Sequence, residues 1–431
     1  MTTTTVTHAP PVRPDRWITD WHPEDERFWA TTGRRVARRN LVWSIVVEHL
    51  GFSVWLLWSA VAVSLPAAGY AFSVDQLFWL VALPNLVGAV MRIPYTAAVS
   101  RFGGRNWTTV SAVLLLVPIG LMVACVTNPA TPYWAFAAAA ATAGLGGGNF
   151  ASSMANISYF YPERHKGLAL GVNAAGGNIG VAVVQFAVPL VIVAGTGLHL
   201  AYAPLLWLLP VLVAAAGAWR RMDNLAVSRA PLREQAAVLR NPHTWVMSFL
   251  YIGTFGSFIG YSAALPLLIK TEFPAVSGVL FAALGPLVGS AARPVGGWLA
   301  DRVGGARVTV VTFVVMAAGV AAVLANKDDF GPFLGAFLLL FVASGVGNGS
   351  TYRMIPAIFR DARAAAVIGI AAAVGALGGF LIPRGFGVST ARTGSIDAAL
   401  LVFLAGYAVC VVVTWWCYLR GRTLTTAGRT P

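Results

Sequence analysis

The sequence predicts an all-α polytopic membrane protein of twelve transmembrane helices arranged as two six-helix halves. Three observations predict it: composition, the length of the apolar runs, and an internal repeat. Of the 431 residues, 57% are apolar and 11% charged, against roughly 45–50% and 25% in a soluble domain. Several runs reach the ~20 apolar residues that a helix needs to cross a bilayer. A disulfide scaffold, a disordered chain and a soluble enzyme with a membrane tail are excluded by the same arithmetic.

The elements follow in order. A polar N-tail, 1–40, ends in Arg34, Arg35, Arg38 and Arg39 and carries no cleavable signal pattern. Its segment Pro23 to Arg39 is expected either as an interfacial helix, with Trp29 at the membrane and arginines near anionic headgroups, or as disordered chain. Six apolar spans follow at 41–65, 76–100, 107–126, 132–160, 167–192 and 200–219. The polar stretch 220–242 divides the chain, and six more spans follow at 243–269, 276–300, 307–325, 332–359, 364–388 and 397–419. The expected domains are thus bundles at 41–219 and 243–419, a central loop at 220–242, and a C-tail at 420–431.

Charge fixes the expected orientation. With the N-terminus inside, 23 of the 30 Lys and Arg fall in cytoplasmic tails and loops. Four (Lys270, Lys327, Arg384, Arg392) fall in external loops, and Arg92, Arg293 and Arg353 lie inside spans. That asymmetry places both termini in the cytoplasm, with the chain in the cell's inner membrane. It also accounts for the net charge of +14 without a nucleic-acid partner. Cys125, Cys410 and Cys417 form no CxxC and are odd in number, so neither a metal site nor a disulfide framework is expected. No cofactor motif is present: Gly144-Leu-Gly146-Gly147-Gly148-Asn149 resembles a nucleotide loop but lies inside a span.

The halves repeat one another. Gly88-x-x-x-Arg92 recurs as Gly289-x-x-x-Arg293, each followed nine residues later by Arg101 or Arg302 and then by Gly103-Gly104 or Gly304-Gly305. Span five (Gly171 to Gly180) echoes span eleven (Gly369 to Gly378). Two such halves, with a substrate site between them near the bilayer midplane, resemble the major facilitator plan. The loop Asp301-Arg302-Val303-Gly304-Gly305-Ala306-Arg307 resembles that superfamily's signature, and the first-half copy holds Arg101 and Arg105 without the acid. Asp301, Arg302, Arg307, Arg101 and Arg105 are read either as a conformational latch or as topology signals alone.

Arg92 and Arg293 lie nine residues from the membrane edge, about 13 Å deep at 1.5 Å per residue. A charge there costs at least ~2.5–3.5 kcal/mol and so faces a partner or a cavity. With few intramembrane acids, two pseudo-symmetric guanidiniums imply an anion, and their planar forks suit a small planar oxyanion held by paired hydrogen bonds. Phe52, Phe150, Tyr251 and Phe255 are candidates to sandwich it. Asn173 and Asn178 read as interhelical glue or, for Asn178, as an amide donor to the anion.

On these residues the chain resembles the nitrate/nitrite porter family of the major facilitator superfamily, from Trp21-His22-Pro23-Glu24-Asp25 to the end of span twelve. The similar segments are Gly88-Ala-Val-Met-Arg92-Ile-Pro94-Tyr95, Asn149-Phe150-Ala-Ser152-Ser153-Met-Ala-Asn156-Ile-Ser158, the two glycine-rich stretches, and Tyr251-Ile-Gly-Thr-Phe255-Gly-Ser-Phe258-Ile-Gly260. The resemblance implies that Arg92 and Arg293 clamp nitrate, helped by Tyr251 and Asn178, between Phe52, Phe150 and Phe255.

Members of that family either exchange nitrate for nitrite or couple nitrate uptake to protons. Only Glu48, of 16 acidic residues, falls inside a span, one turn before Phe52 on the same face. Exchangers carry apolar residues in place of Glu48-His49, and Arg353 stands where a neutral amide is common. The two arginines give +2, and an ionised Glu48 brings the empty site to +1. Nitrate with a proton on Glu48 again gives +1, so proton-coupled uptake is favoured, with Glu48 and His49 as coupling candidates. A permanent salt bridge from Glu48 to an arginine, Arg353 included, is the structural alternative. An anion channel, a membrane receptor and a membrane enzyme are less favoured: there is one polar station, and no HExxH, Cys/His cluster or paired intramembrane carboxylates. The expected partners are nitrate, nitrite, protons and the bilayer, for a functional monomer.

Overall fold

The structure is a computed structural model that describes residues 16–228, 237–276, 279–359 and 362–420. Arg13, Arg229, Arg233, Arg360, the side chain of Arg363 and the tail 421–431, all counted above, lie outside the described residues.

Twelve long helical segments account for most of the chain. They are α1 (Arg34–Trp55), α2 (Val74–Phe102), α3 (Gly104–Thr127), α4 (Tyr133–Phe160), α5 (Glu163–Val191) and α6 (Tyr202–Arg221), then α7 (Pro242–Glu272), α8 (Leu284–Val303), α9 (Gly305–Ala325), α10 (Phe330–Ile358), α11 (Ala366–Thr393) and α12 (Asp397–Leu419). Among the described residues nine of these are long and apolar enough to cross a membrane, or ten when α1 and the following Leu57–Ser64, bent by 40°, count as one span. The two that fall short, α4 and α8, carry Gly147, Asn149 and Ser153, or Arg293 and Asp301, in place of aliphatic side chains. Asn149, Ser153 and Arg293 are buried against protein, so low hydropathy there reflects position in the bundle.

The packing repeats between halves. α2 packs on α4 and α1 on α5, as α8 packs on α10 and α7 on α11; the halves meet where α2 lies on α11 and α5 on α8. Gly88 and Gly289, one turn before Arg92 and Arg293, make the close approaches possible. A Cβ on Gly88 would meet the Trp55 indole at 2.7 Å, and a Cβ on Gly345 would meet the Gly289 carbonyl at 2.1 Å. The Gly-Gly pairs also behave alike. Gly103 (φ 86°) and Gly304 (φ 96°) each turn the chain in one residue between consecutive helices, and Gly104 and Gly305 begin the next.

Two expectations are corrected here, and one is refined. α11 continues to Thr393, so Arg384 and Arg392 are helical rather than in an external loop. Arg353 lies inside α10 as expected, near its end, with its side chain 51% exposed and paired with Asp301 of α8. The described N-tail is ordered and docked on the protein. Trp17–Ile18 pairs in parallel with Asn224–Leu225, the Trp21 indole donates to the Tyr159 carbonyl at 3.1 Å, and Asp25 caps Glu26–Phe28. Trp29 is buried and stacks on His165 rather than facing a bilayer.

Candidate anion site between the halves

Arg92 comes from the middle of α2 and Arg293 from the middle of α8, and both are buried. Arg92 donates from Nε to the Gly147 carbonyl at 3.2 Å and from Nη1 to the Ala372 carbonyl, so it spans α4 and α11 across the interface between halves. Arg293 donates from Nη2 to the Tyr251 hydroxyl at 3.4 Å. One nitrogen on each guanidinium, Nη2 of Arg92 and Nη1 of Arg293, is buried without a hydrogen-bond partner. Leaving such a donor unmade costs about 1–3 kcal/mol, more when it is charged. Both guanidiniums lie over the same ring, that of Phe150, so the two unpartnered donors belong to one buried region.

Aromatic rings join the two cations. The Phe150 ring lies 4.7 Å from the Arg92 guanidinium carbon and 5.9 Å from that of Arg293, and the Phe255 ring lies 4.9 Å from Arg92. Phe150 stacks on Phe255 at 5.7 Å, and Phe255 on Tyr251 at 5.3 Å and 13°. α7 has a π-helical turn, Ile252–Gly256, immediately after Tyr251. Such turns recur at functional sites because one widened turn re-aims neighbouring side chains. Gly256 within it sits against the backbone of α11 at Gly375 and Gly378, which holds α7 and α11 together behind the rings.

The remaining sequence candidates divide. Phe52 touches Phe150 edge-on at 6.1 Å and Trp55 at 5.3 Å, a position behind the ring that faces the arginines. Asn178 is buried and neither atom of its amide has a partner, which leaves it available as a donor. Glu48 is buried but makes no ion pair with Arg92, Arg293 or Arg353. Its Oε2 accepts from Asn173 Nδ2 at 2.7 Å and from the Ser153 hydroxyl, and its Oε1 has no partner. Asn173 therefore holds the carboxylate, a role beyond interhelical glue. His49 Nδ1 lies 3.1 Å from the Gly176 carbonyl, on the α5 side and away from the arginines.

The five latch candidates are not one cluster. Asp301 pairs with Arg353, Arg302 lies over Trp298 at 4.1 Å, and Arg101 over Phe102 at 5.7 Å. Arg105 is buried and donates to the Trp219 carbonyl at 2.8 Å, while Arg307 is exposed. Sequence reasoning missed Tyr352, whose ring lies 5.6 Å from the Arg293 guanidinium, and Trp55, 5.5 Å from Arg92. Trp55 lies three residues beyond Phe52 and Tyr352 beside Arg353, so helical spacing around those positions was the available signal. The carbonyls of Gly147 and Ala372 carry no side-chain signal at all.

A paired, buried, partly unsatisfied arginine site at the seam of two repeated halves agrees with sequence comparison. The Major Facilitator Superfamily model matches residues 50–383. The nitrate/nitrite transporter NarU of Salmonella typhimurium is 42% identical, with 94% of this chain and 96% of that protein aligned. The chain belongs to the nitrate/nitrite porter family of the major facilitator superfamily. The probable nitrate/nitrite antiporter NarK2 of Thermus thermophilus is a further relative of this porter, 38% identical over 94% of this chain and 97% of its own. Among solved structures, a D-xylose-proton symporter superimposes with TM-score 0.69 at 16% identity, covering 87% of this chain and 97% of that one. The inward-open xylose transporter XylE of E. coli gives 0.68 at 14%, covering 90% and 99%. At such identities the likeness is one of fold.

Proposed function

We propose that this porter carries nitrate, and nitrite at the same site, across the cytoplasmic membrane by alternating access, with proton-coupled nitrate uptake as its leading mode. The observation that carries the substrate is the pair of unpartnered guanidinium nitrogens on Arg92 and Arg293. A planar monoanion presents in-plane oxygens to both forks while its faces lie against rings. Phe150 and Phe255 supply those rings, Tyr251 orients Arg293, Asn178 adds an amide donor, and Phe52 backs Phe150.

Coupling follows from charge. Glu48 is held by Ser153 and Asn173 without a cation in contact, which supports a carboxyl that exchanges its proton over a permanent salt bridge. The empty carrier with Glu48 ionised and the carrier loaded with nitrate and a proton bear the same charge, so both reorient against the same electrostatic barrier. Nitrate/nitrite exchange is the second reading, since a relative carries the name antiporter. The bundles 41–219 and 243–419 rock about the site, the end bearing Gly103 and Gly304 is cytoplasmic, and the monomer is the transporting unit.

Purified protein in liposomes tests this. Nitrate entry driven by an inward proton gradient alone establishes symport, entry that needs internal nitrite establishes exchange, and no movement in either removes the substrate. Arg92→Ala and Arg293→Ala are each expected to abolish both modes; near-normal uptake with an unchanged half-saturation in either would overturn the clamp. Glu48→Gln is expected to keep counterflow and lose gradient-driven uptake.

A further inference from the structure

Asn40, Ser44 and Glu48 recur every fourth residue down α1, and all three are buried. They form a polar stripe about 12 Å long at 1.5 Å rise per residue. Its outer end is Asp223, which accepts from Asn40 Nδ2 at 3.0 Å and pairs with Arg39, a side chain 43% exposed. Its inner end is Glu48. Midway, the Ser44 hydroxyl lies 2.9 Å from that of Ser153, which in turn donates to Glu48.

Beside this stripe is a small cavity of about 10 Å³, whose lining includes Ser44 and Glu48 of α1, Thr108 and Ser111 of α3, and Asn149, Ser152 and Ser153 of α4. That volume is on the order of one water, and a buried water needs two to four polar partners. The walls offer them: Glu48 Oε1 and both atoms of the Asn149 amide are buried without partners. Every wall residue belongs to the first half. Arg92, Arg293, Tyr251 and Phe255 are not among them.

We propose that this cavity binds a water that serves Glu48 as a proton port, so that protons reach the carboxyl through the interior of the first half, between α1, α3 and α4, by a route separate from the anion's path between the halves. The proposal rests on the reading of Glu48 as proton carrier. Water and Ser or Thr hydroxyls each donate and accept at once, as a relay requires. A proton leaving a Glu48 oxygen joins the water oxygen as another proton leaves that water on its far side, toward Ser44 or Ser111. No net charge is left on the water, and no covalent bond other than O–H is exchanged. Arg92 of α2, Arg293 of α8 and Tyr352 of α10 act on Glu48 electrostatically from the other elements; Asn173 faces it from α5, and Thr108 and Ser111 line the cavity from α3, the Ser111 hydroxyl donating to the Thr108 carbonyl at 3.0 Å. A separate port lets nitrate occupy the arginines while Glu48 still exchanges protons, which a shared path blocks.

The test compares Ser111→Val, Thr108→Val, Ser111→Thr and Glu48→Gln with wild type in liposomes. Gradient-driven nitrate uptake and nitrate/nitrite counterflow are measured on each preparation. Valine at either position removes a hydroxyl from the cavity lining, at Thr108 with the shape unchanged, and Ser111→Thr matches the size of Ser111→Val while keeping the hydroxyl. Both valine variants are expected to slow gradient-driven uptake at least about tenfold with counterflow and nitrate half-saturation unchanged, and Ser111→Thr to restore it. If Glu48→Gln loses gradient-driven uptake while both valine variants keep it, the port is wrong and the coupling reading stands. If both valine variants lose uptake and counterflow in step, the residues serve packing and the port is overturned. If wild type shows no gradient-driven uptake, or Glu48→Gln retains it, the coupling reading fails and the port falls with it.

Discussion

Phe150 is the side chain on which both cations converge: its ring faces Arg92 at 4.7 Å and Arg293 at 5.9 Å, and it stacks on Phe255. A desolvated cation–π contact is worth about 2 kcal/mol or more, which in the empty site partly offsets the burial of two like charges. Phe150→Leu keeps an apolar side chain and loses the π face. It is expected to reduce nitrate transport at least about tenfold, with Phe150→Tyr recovering most of it; initial rates at saturating and limiting nitrate would show this, and a leucine variant at wild-type rate would make the ring mere packing. At this scale the sequence was legible where physics makes a residue expensive. Arg92, Arg293 and Glu48 stood out because a charge at midmembrane needs a reason. The acceptors that anchor Arg92, the carbonyls of Gly147 and Ala372, were not legible because every residue has a carbonyl. Asn173 was ambiguous for a similar reason: a buried amide needs partners, but its sequence position does not say that the partner is Glu48.

Helices join these residues into a site, and here the glycines decide. The paired patterns at Gly88 and Gly289 mark the same packing device twice, and the pairs at Gly103-Gly104 and Gly304-Gly305 the same one-residue turn. The two turns differ in surroundings. A Cβ on Gly103 would lie 2.3 Å from Asn224 Oδ1 and 2.9 Å from the Trp17 ring, whereas nothing lies within 4 Å of a Cβ on Gly304. Gly304→Ala therefore carries only the strain of a backbone at φ 96° and ψ 129°, about 1–3 kcal/mol. Gly103→Ala carries that strain and must also displace the Trp17–Asn224 seam. Thermal unfolding in detergent is expected to show the larger loss for Gly103→Ala; equal losses would mean that the N-terminal strap contributes nothing to the turn. Apolar runs revealed the spans and the repeat revealed the halves. Helix ends were less legible: α11 outruns its apolar segment to Thr393 and stops only at Gly394, whose φ of 70° and N–H to the Thr390 carbonyl close it.

The ion pair of Asp75 and Arg384 acts at the scale of the whole molecule. Asp75 opens α2 and Arg384 lies late in α11, so their 2.7 Å contact ties the first half to the second at the end of α2 opposite Gly103. Gln185 of α5 adds a hydrogen bond to the Ser262 carbonyl of α7, and Phe78 of α2 meets Phe386 of α11 at 6.4 Å. Alternating access requires these contacts to separate together whenever the site opens to that side. The ion pair is partly buried, its side chains 33% and 14% exposed for Asp75 and Arg384, and for such a pair about 1 kcal/mol is a fair scale. Removing it is expected to shift the balance toward opening on that side about fivefold. A cysteine placed at Phe386, which is fully buried in this contact, reads that balance through its rate of alkylation. Asp75→Asn and Arg384→Gln are each expected to speed labelling by that factor, and the double variant by no more than either alone, because both remove one interaction. Labelling rates that multiply in the double variant would show the two charges acting independently rather than as one pair.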